Sequence, residues 1–236
     1  MRKHIMAIGA HIGDAELTCG KTLATHAVNG DDITIVAVTA GERGAPPGRC
    51  QQEFKQHNIE CATAFAKALG GEFYCLGYPD GEAPDNEELR YAICDLVRIR
   101  KPDAIMTHWT QSMHKDHIVT ANAVKDGIFY AALRGFERTG PDGSPLETHW
   151  AKGPYYAENW EDAAGFEPYI FIDVSKGYDL WHEHIQKLWL TNNSPWFKYL
   201  TYYDALSKMR GTLIKKERAE CFTVQPHAKR VVQEGF

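Results

Sequence analysis

The sequence predicts an α/β protein with a Rossmann-like, doubly wound, mostly parallel sheet, helices on both faces and a loop-rich C-terminal part. Three observations carry this. Continuous apolar runs at residues 4–10 (HIMAIGA) and 33–38 (ITIVAV) have the composition of strands covered on both faces. Segments of ten to twenty residues with helical spacing separate such runs, which is the pattern of βαβ units with right-handed crossovers. His/Asp clusters follow two of the runs directly, where doubly wound sheets place their ligands.

The elements follow in order. Residues 15–29 place Leu17, Leu23, Ala24, Ala27 and Val28 near helical spacing, and Asn29-Gly30 supplies a stop signal. The second strand, 33–38, is rich in β-branched residues and runs into a glycine-rich loop at 39–48. A helix over about 50–69 ends at Gly70-Gly71, and 72–78 (EFYCLGY) reads as a third strand. Residues 86–100 present Leu89, Ile93, Leu96, Val97 and Ile99 on one helical face. The fourth strand covers 103–107 and ends at His108; a helix starts near Asp116 or His117 and continues to about Leu133. Beyond it the pattern is looser: a loop-rich stretch at 134–167, a strand at 169–174, a helix near 178–192 and a polar tail. This second half is rich in aromatics, including Trp160, Trp189, Trp196 and Tyr199. Core packing is the ordinary reading of them, and a few lining a sugar-binding cleft is the sharper one.

Composition narrows the function. With 236 residues and no linker, repeat or charge block, the chain reads as one domain over 1–236. A net charge of -5 leaves no basic footprint, so nucleic acid is not expected as a partner. The N-terminal apolar run is short and broken by Gly9, His11 and Asp14, so neither a signal peptide nor a membrane span is expected. Six cysteines without a CxxC pair read as reduced thiols in a cytoplasmic protein.

Chemistry concentrates in Ala10-His11-Ile12-Gly13-Asp14-Ala15-Glu16 after strand one and in His114-Lys115-Asp116-His117 after strand four. In a doubly wound sheet these two strands lie side by side at the switch point, so the clusters would meet there. Imidazoles plus a carboxylate suit zinc or another divalent transition metal, and an open position would make the centre hydrolytic. The His-x-x-Asp spacing lets His11 and Asp14 converge from one turn, with His117 closing the set. Singly, each residue has an ordinary role: Asp14 and Asp116 as helix N-caps, His11 in a turn, His114 in a surface loop. The joint pattern at two adjacent strand ends lifts the metal reading above these. A dinucleotide loop is excluded: the turn is not G-x-G-x-x-G, and Asp14 puts negative charge where a pyrophosphate would sit.

At these residues the chain resembles the LmbE/PIG-L-like family of zinc N-acetylglucosaminyl deacetylases, whose first motif is A-H-P-D-D-x-E. The stretch AHIGDAELTCGKTLA (10–24) carries the likeness, which continues through VTAGERG (38–44), YPDGE (78–82), KPDAIMTHW (101–109), HKDHIVTANAV (114–124) and IDVS (172–175). The resemblance implies a zinc-dependent N-deacetylase acting on a small N-acetylated sugar or conjugate, and together with the aromatic second half it suggests a homo-oligomer. It implies that His11, Asp14 and His117 bind the metal, that His114 stabilises the oxyanion, and that Asp116 orients a neighbouring histidine. Arg49 and Glu42 are the implied substrate contacts. The departure is at Ile12-Gly13, where the family has Pro-Asp and that aspartate is the general base. Either Glu16 or Asp116 takes over as base or the metal-bound hydroxide works slowly without one; Gly13→Asp is expected to raise the rate, and the wider floor left by Gly13 is expected to admit a different substrate. The alternative is a metal- and sugar-binding protein without hydrolysis.

Overall fold

The computed structural model of the chain describes residues 2–162 and 164–225. Its elements are β1 (His4–Gly9), α1 (Asp14–Thr18), α2 (Gly20–Val28), β2 (Asp32–Thr39), α3 (Gln51–Ala68), β3 (Glu72–Tyr78), α4 (Glu87–Arg100), β4 (Ala104–His108) and α5 (Lys115–Ala132). There follow β5 (Lys152–Ala157), β6 (Ile170–Asp173), α6 (Tyr178–Ile185), α7 (Trp189–Asn193), α8 (Tyr199–Leu213) and β7 (Ala219–Thr223).

The seven strands form one sheet in the order β3-β2-β1-β4-β5-β7-β6. The first five run parallel, and β7 pairs antiparallel with both β5 and β6. The order reverses between β1 and β4, as the doubly wound reading requires. Strand alternation explains why the central runs are apolar throughout. Ile5 and Ala7 of β1, with Ile33, Ile35 and Ala37 of β2, enter a core shared with α1, α2, α3, α6 and α8. Met6, Ile8, Val36 and Val38 enter the opposite core, under α4 and α5. Each residue on these strands is therefore buried by one layer or the other.

The structure departs from the sequence reading in four places. The helix expected over 15–29 is two helices, broken at Cys19, because α2 starts afresh on a distant cap. The Glu220 carboxylate accepts the backbone N–H groups of Lys21 (3.1 Å) and Thr22 (2.7 Å), a charge-assisted cap at the positive end of the helix. The helix expected near 178–192 is likewise α6 and α7, separated where Leu188 is buried in extended backbone. The stretch read as loop contains β5, whose Gly153-Pro154 looks like a breaker; the β4–β5 register shifts between Ala104 and Met106 and absorbs it. Finally, α8 and β7 both lie in the segment read as a polar tail, β7 with all five residues buried, whereas residues 226–236 of that tail lie outside the described residues. All six cysteines are unpaired thiols, and among the described residues no helix is long and apolar enough to cross a membrane.

Candidate active site

The carboxyl ends of β1 and β4 hold the site. The adjacent strands are cross-tied there: Thr107 Oγ1 donates to the Ile8 carbonyl at 2.9 Å, and the Ala10 N–H donates to His108 Nε2 at 2.9 Å. Leaving β1, the chain turns so that the His11 N–H donates to Asp14 Oδ2 at 2.7 Å, which aims that carboxylate back over the strand end. On the β4 side, the His114 N–H donates to Ser112 Oγ and the Asp116 N–H to His114 Nδ1, which opens α5 with His117 on its first turn.

One oxygen is the hub. Asp14 Oδ2 lies 3.2 Å from His11 Nδ1, 3.2 Å from His108 Nε2 and 3.4 Å from His117 Nε2. Burial acts to raise the Asp14 pKa, but the charge of His117 and the polar contacts with the His108 and His11 rings outweigh it and hold the carboxyl well below its usual range. The far nitrogen of His11 faces two more carboxylates, with Nε2 3.1 Å from Asp80 Oδ1 and 3.4 Å from Asp116 Oδ2. Burial alone would lower the His11 pKa; Asp116, Asp14 and Asp80 together push it up to about 12. Without a metal, a proton on His11 is thus the counter-charge to three acids.

The donor set fits a divalent cation. Three overlapping groups of ligand atoms each lie within 4.8 Å of one another: His11, His114 and His117; Asp14, His108 and His117; His11, Asp80 and Asp116. Asp116 Oδ1 is buried without a hydrogen-bond partner, a cost that a cation at this cluster relieves. Mixed imidazole and carboxylate donors suit zinc and its neighbours.

The cluster lies at a cavity of about 590 Å³, the size of a small-molecule site. His114 lines it beside His11, edge-on at 4.6 Å between ring centroids, and roughly parallel to His117 at 4.9 Å. Burial, then the charges of His11 and His117, lower the His114 pKa, so the ring is neutral near pH 7. Its Nδ1 accepts the Asp116 N–H, which leaves the proton on Nε2. A neutral N–H donor therefore stands in the cavity wall.

The other sequence-derived residues sort by position. Glu16 does not line the cavity; it is buried beneath the turn, and its Oε2 accepts the Gly13 N–H at 3.0 Å. Burial, opposed by that hydrogen bond, raises its pKa to about 7. Asp116 is fully buried and accepts the Gly81 N–H at 2.8 Å, behind His11. Glu42 accepts the Asp80 N–H at 2.9 Å and so steadies the His11 partner. The Arg49 guanidinium lies 5.0 Å from the Phe54 ring centroid, outside the lining.

Gly13 overturns two expectations. Its φ is +111°, a backbone strained for any L side chain, and a Cβ there would fall inside the envelope of Leu190 Cδ2. The family's aspartate cannot simply be restored at this position. Nor does the glycine widen the floor, because Leu190 from α7 fills the space. Sequence reasoning also missed Asp80 and Glu161, both of which line the cavity; Glu161 Oε2 is 3.8 Å from His117 Nδ1. Asp80 was signalled by its YPDGE loop after β3, whereas Glu161 follows a strand the sequence conceals.

A family model described as GlcNAc-PI de-N-acetylase, PIG-L, matches residues 6–128, which run through both histidine clusters and α5. The chain belongs to the PIG-L family. Among relatives, it is 22% identical to a 4-oxalmesaconate hydratase of Pseudomonas putida over 91% of this chain and 82% of that one. It is 24% identical to a diacetylchitobiose deacetylase of Thermococcus kodakarensis, over 73% of this chain and 64% of the relative. The crystal structure of a 4-carboxy-2-hydroxymuconate hydratase from Pseudomonas putida superposes with a TM-score of 0.84 at 19% identity, covering 98% of this chain and all of that one. At such identities the structural likeness establishes the fold, and this PIG-L chain has relatives of two different activities.

Proposed function

We propose that this PIG-L protein is a metal-dependent N-deacetylase of an acetamido sugar or sugar conjugate. One observation supports the deacetylase reading over the hydratase one. The cavity that holds the histidine cluster is lined by the carboxylates of Asp14, Asp80 and Glu161 and, among the described residues, by no lysine or arginine. A muconate-type substrate carries several carboxylates and needs cationic partners, whereas an N-acetyl sugar is neutral and its product amine is a cation. The wall suits the second.

His11, Asp14 and His117 would hold the metal. When bound, such an ion polarises an acyl carbonyl and lowers the pKa of water to about 7. His114 presents its Nε2 proton to the carbonyl oxygen as charge develops there, the role of an oxyanion-hole donor. Asp80 and Asp116 fix the ring of His11 from behind, as carboxylates do for ligating imidazoles. With glycine at position 13, Glu161, the cavity carboxylate not engaged with His11, is the acceptor for the attacking water's proton. General-base catalysis contributes about 10²–10⁴ in rate, so turnover is expected below that of relatives with the dedicated aspartate by up to that factor.

Incubation of the zinc-loaded protein with N-acetylglucosamine, diacetylchitobiose and an unsaturated tricarboxylate tests the reading. Acetate release from an acetamido sugar with no hydration of the tricarboxylate is expected. Hydration without acetate release would reverse the assignment, and sugar binding without acetate release would make the protein a binder.

A further inference from the structure

The acetamido group can be served by the cluster itself, but the cavity continues outward to a rim formed by residues 193–196 between α7 and α8. Most aromatic rings near that rim are committed to protein. Trp160 stacks on Phe197 at 4.3 Å, Phe197 packs edge-on to Tyr199 at 5.0 Å, and Trp189 meets Phe54 edge-on at 5.1 Å. Trp196 is different. It lines the cavity, is 93% exposed, and pairs with no ring among the described residues. A tryptophan left in water forgoes the favourable burial of its large apolar face.

The rim is also set in advance. Pro195 fixes its own φ and holds Ser194 in extended backbone, observed at φ -64° and ψ 121°. The Phe197 N–H donates to Ser194 Oγ, closing the turn that carries Trp196. A ligand ring meeting this indole therefore orders little backbone. Among the described residues no lysine or arginine lines the cavity to hold an anionic group, which leaves uncharged rings as the complement.

We infer that Trp196 is a specificity residue: it stacks on an uncharged ring, either a second pyranose or an aryl group, joined to the acetamido-bearing unit. This rests on the deacetylase reading for the identity of that unit. The substrate is then larger than a monosaccharide, and the second ring supplies binding that the reacting acetyl group cannot.

Calorimetric titration of the zinc-loaded protein with glucosamine, chitobiose and 4-nitrophenyl glucosaminide tests this, since none of the three carries an acetyl group to be consumed. The ring-bearing compounds are expected to bind about tenfold tighter than glucosamine, the scale of one aromatic stacking contact. Trp196→Ala should abolish that advantage while leaving glucosamine affinity unchanged, and Trp196→Phe should keep most of it. An advantage confined to chitobiose identifies the partner ring as a sugar, and one confined to the nitrophenyl compound identifies it as an aryl group. Equal affinities for all three in the wild type, or an advantage that survives Trp196→Ala, would overturn the inference. So would a Trp196→Ala variant that changes only the sedimentation of the protein, because the indole would then serve contact between copies. If the ring advantage is present but no acetamido compound releases acetate, the deacetylase reading fails and the stacking role stands.

Discussion

From β1 to α5 each strand is parallel to its neighbour, and each connection is a helix packed back on the sheet. From β5 onward the strands are short, two pairings are antiparallel, and the helices come in pieces. The first region supplies every residue of the candidate metal centre. The second supplies Glu161, Leu190, Trp196 and Tyr199 on the walls of the same cavity. The contrast teaches a division of labour in this PIG-L protein: regular βα units gather the candidate ligands at the switch point, and the irregular part walls the cavity in front of them.

The two regions are also joined mechanically, and the strongest perturbation severs that tie. Glu220 on β7 caps α2 and lies 3.3 Å from the Nζ of Lys21, which is almost wholly buried and sits 3.9 Å over the Trp181 ring. Removing one partner of a buried pair strands the other, at about 3–5 kcal/mol. Glu220→Ala should lose stability on that scale in urea unfolding, and Glu220→Gln, whose single amide oxygen still accepts one of the two backbone N–H groups, should lose less. Equal losses would show that the cap does not contribute.

A second perturbation separates the two acids of the first motif. The folded-state pKa of Glu16 is raised from 4.5 to about 7 by burial. A raised folded pKa gives stability that is complete below the unfolded value and is lost as pH rises through the folded one. The window is therefore about pH 4.5 to 7, and the loss is on the order of 3 kcal/mol at 1.36 kcal/mol per unit. Glu16→Gln should remove this slope and be more stable than wild type at pH 8. The same slope in both proteins would mean that Glu16 is ionised throughout.

The smallest expected effect lies where the regions touch. Gly13→Asp should cost about 1–3 kcal/mol for a side chain at positive φ and give no gain in acetate release, because Leu190 occupies the position. A rate increase in Gly13→Asp, measured beside Leu190→Ala with Gly13→Asp, would show that the turn relaxes and that the family's base geometry is recoverable.

These contrasts also explain what the sequence could disclose. Ile5 to Ile8 are apolar at every step, and Ile33 to Val38 at every step but Thr34, because two cores claim alternate residues, so the strands and their parallel pairing were legible. His11, Asp14, His114 and His117 were legible as a site because they follow adjacent strands at short spacing. Asp80 sat in plain view in YPDGE, but its partnership with His11 depends on how the β3 loop folds back. Trp196 was visible only as one of many aromatics, and Glu161 and Leu190 carry no local signal: their meaning arises from a strand whose Gly-Pro reads as a breaker and from helices that pack across the sheet. The Gly13 departure was visible, yet its consequence depends on a leucine far along the chain.

The central claim is that His11, Asp14 and His117 form one metal centre. Elemental analysis of the purified protein, of His11→Ala and of His117→Ala, each after dialysis against a weak chelator, tests it most directly. The wild type should retain about one equivalent of zinc or a similar divalent metal and each variant almost none, as expected for an open three-ligand site. Retention unaffected by both substitutions, or its absence from the wild type after zinc loading, would contradict the account.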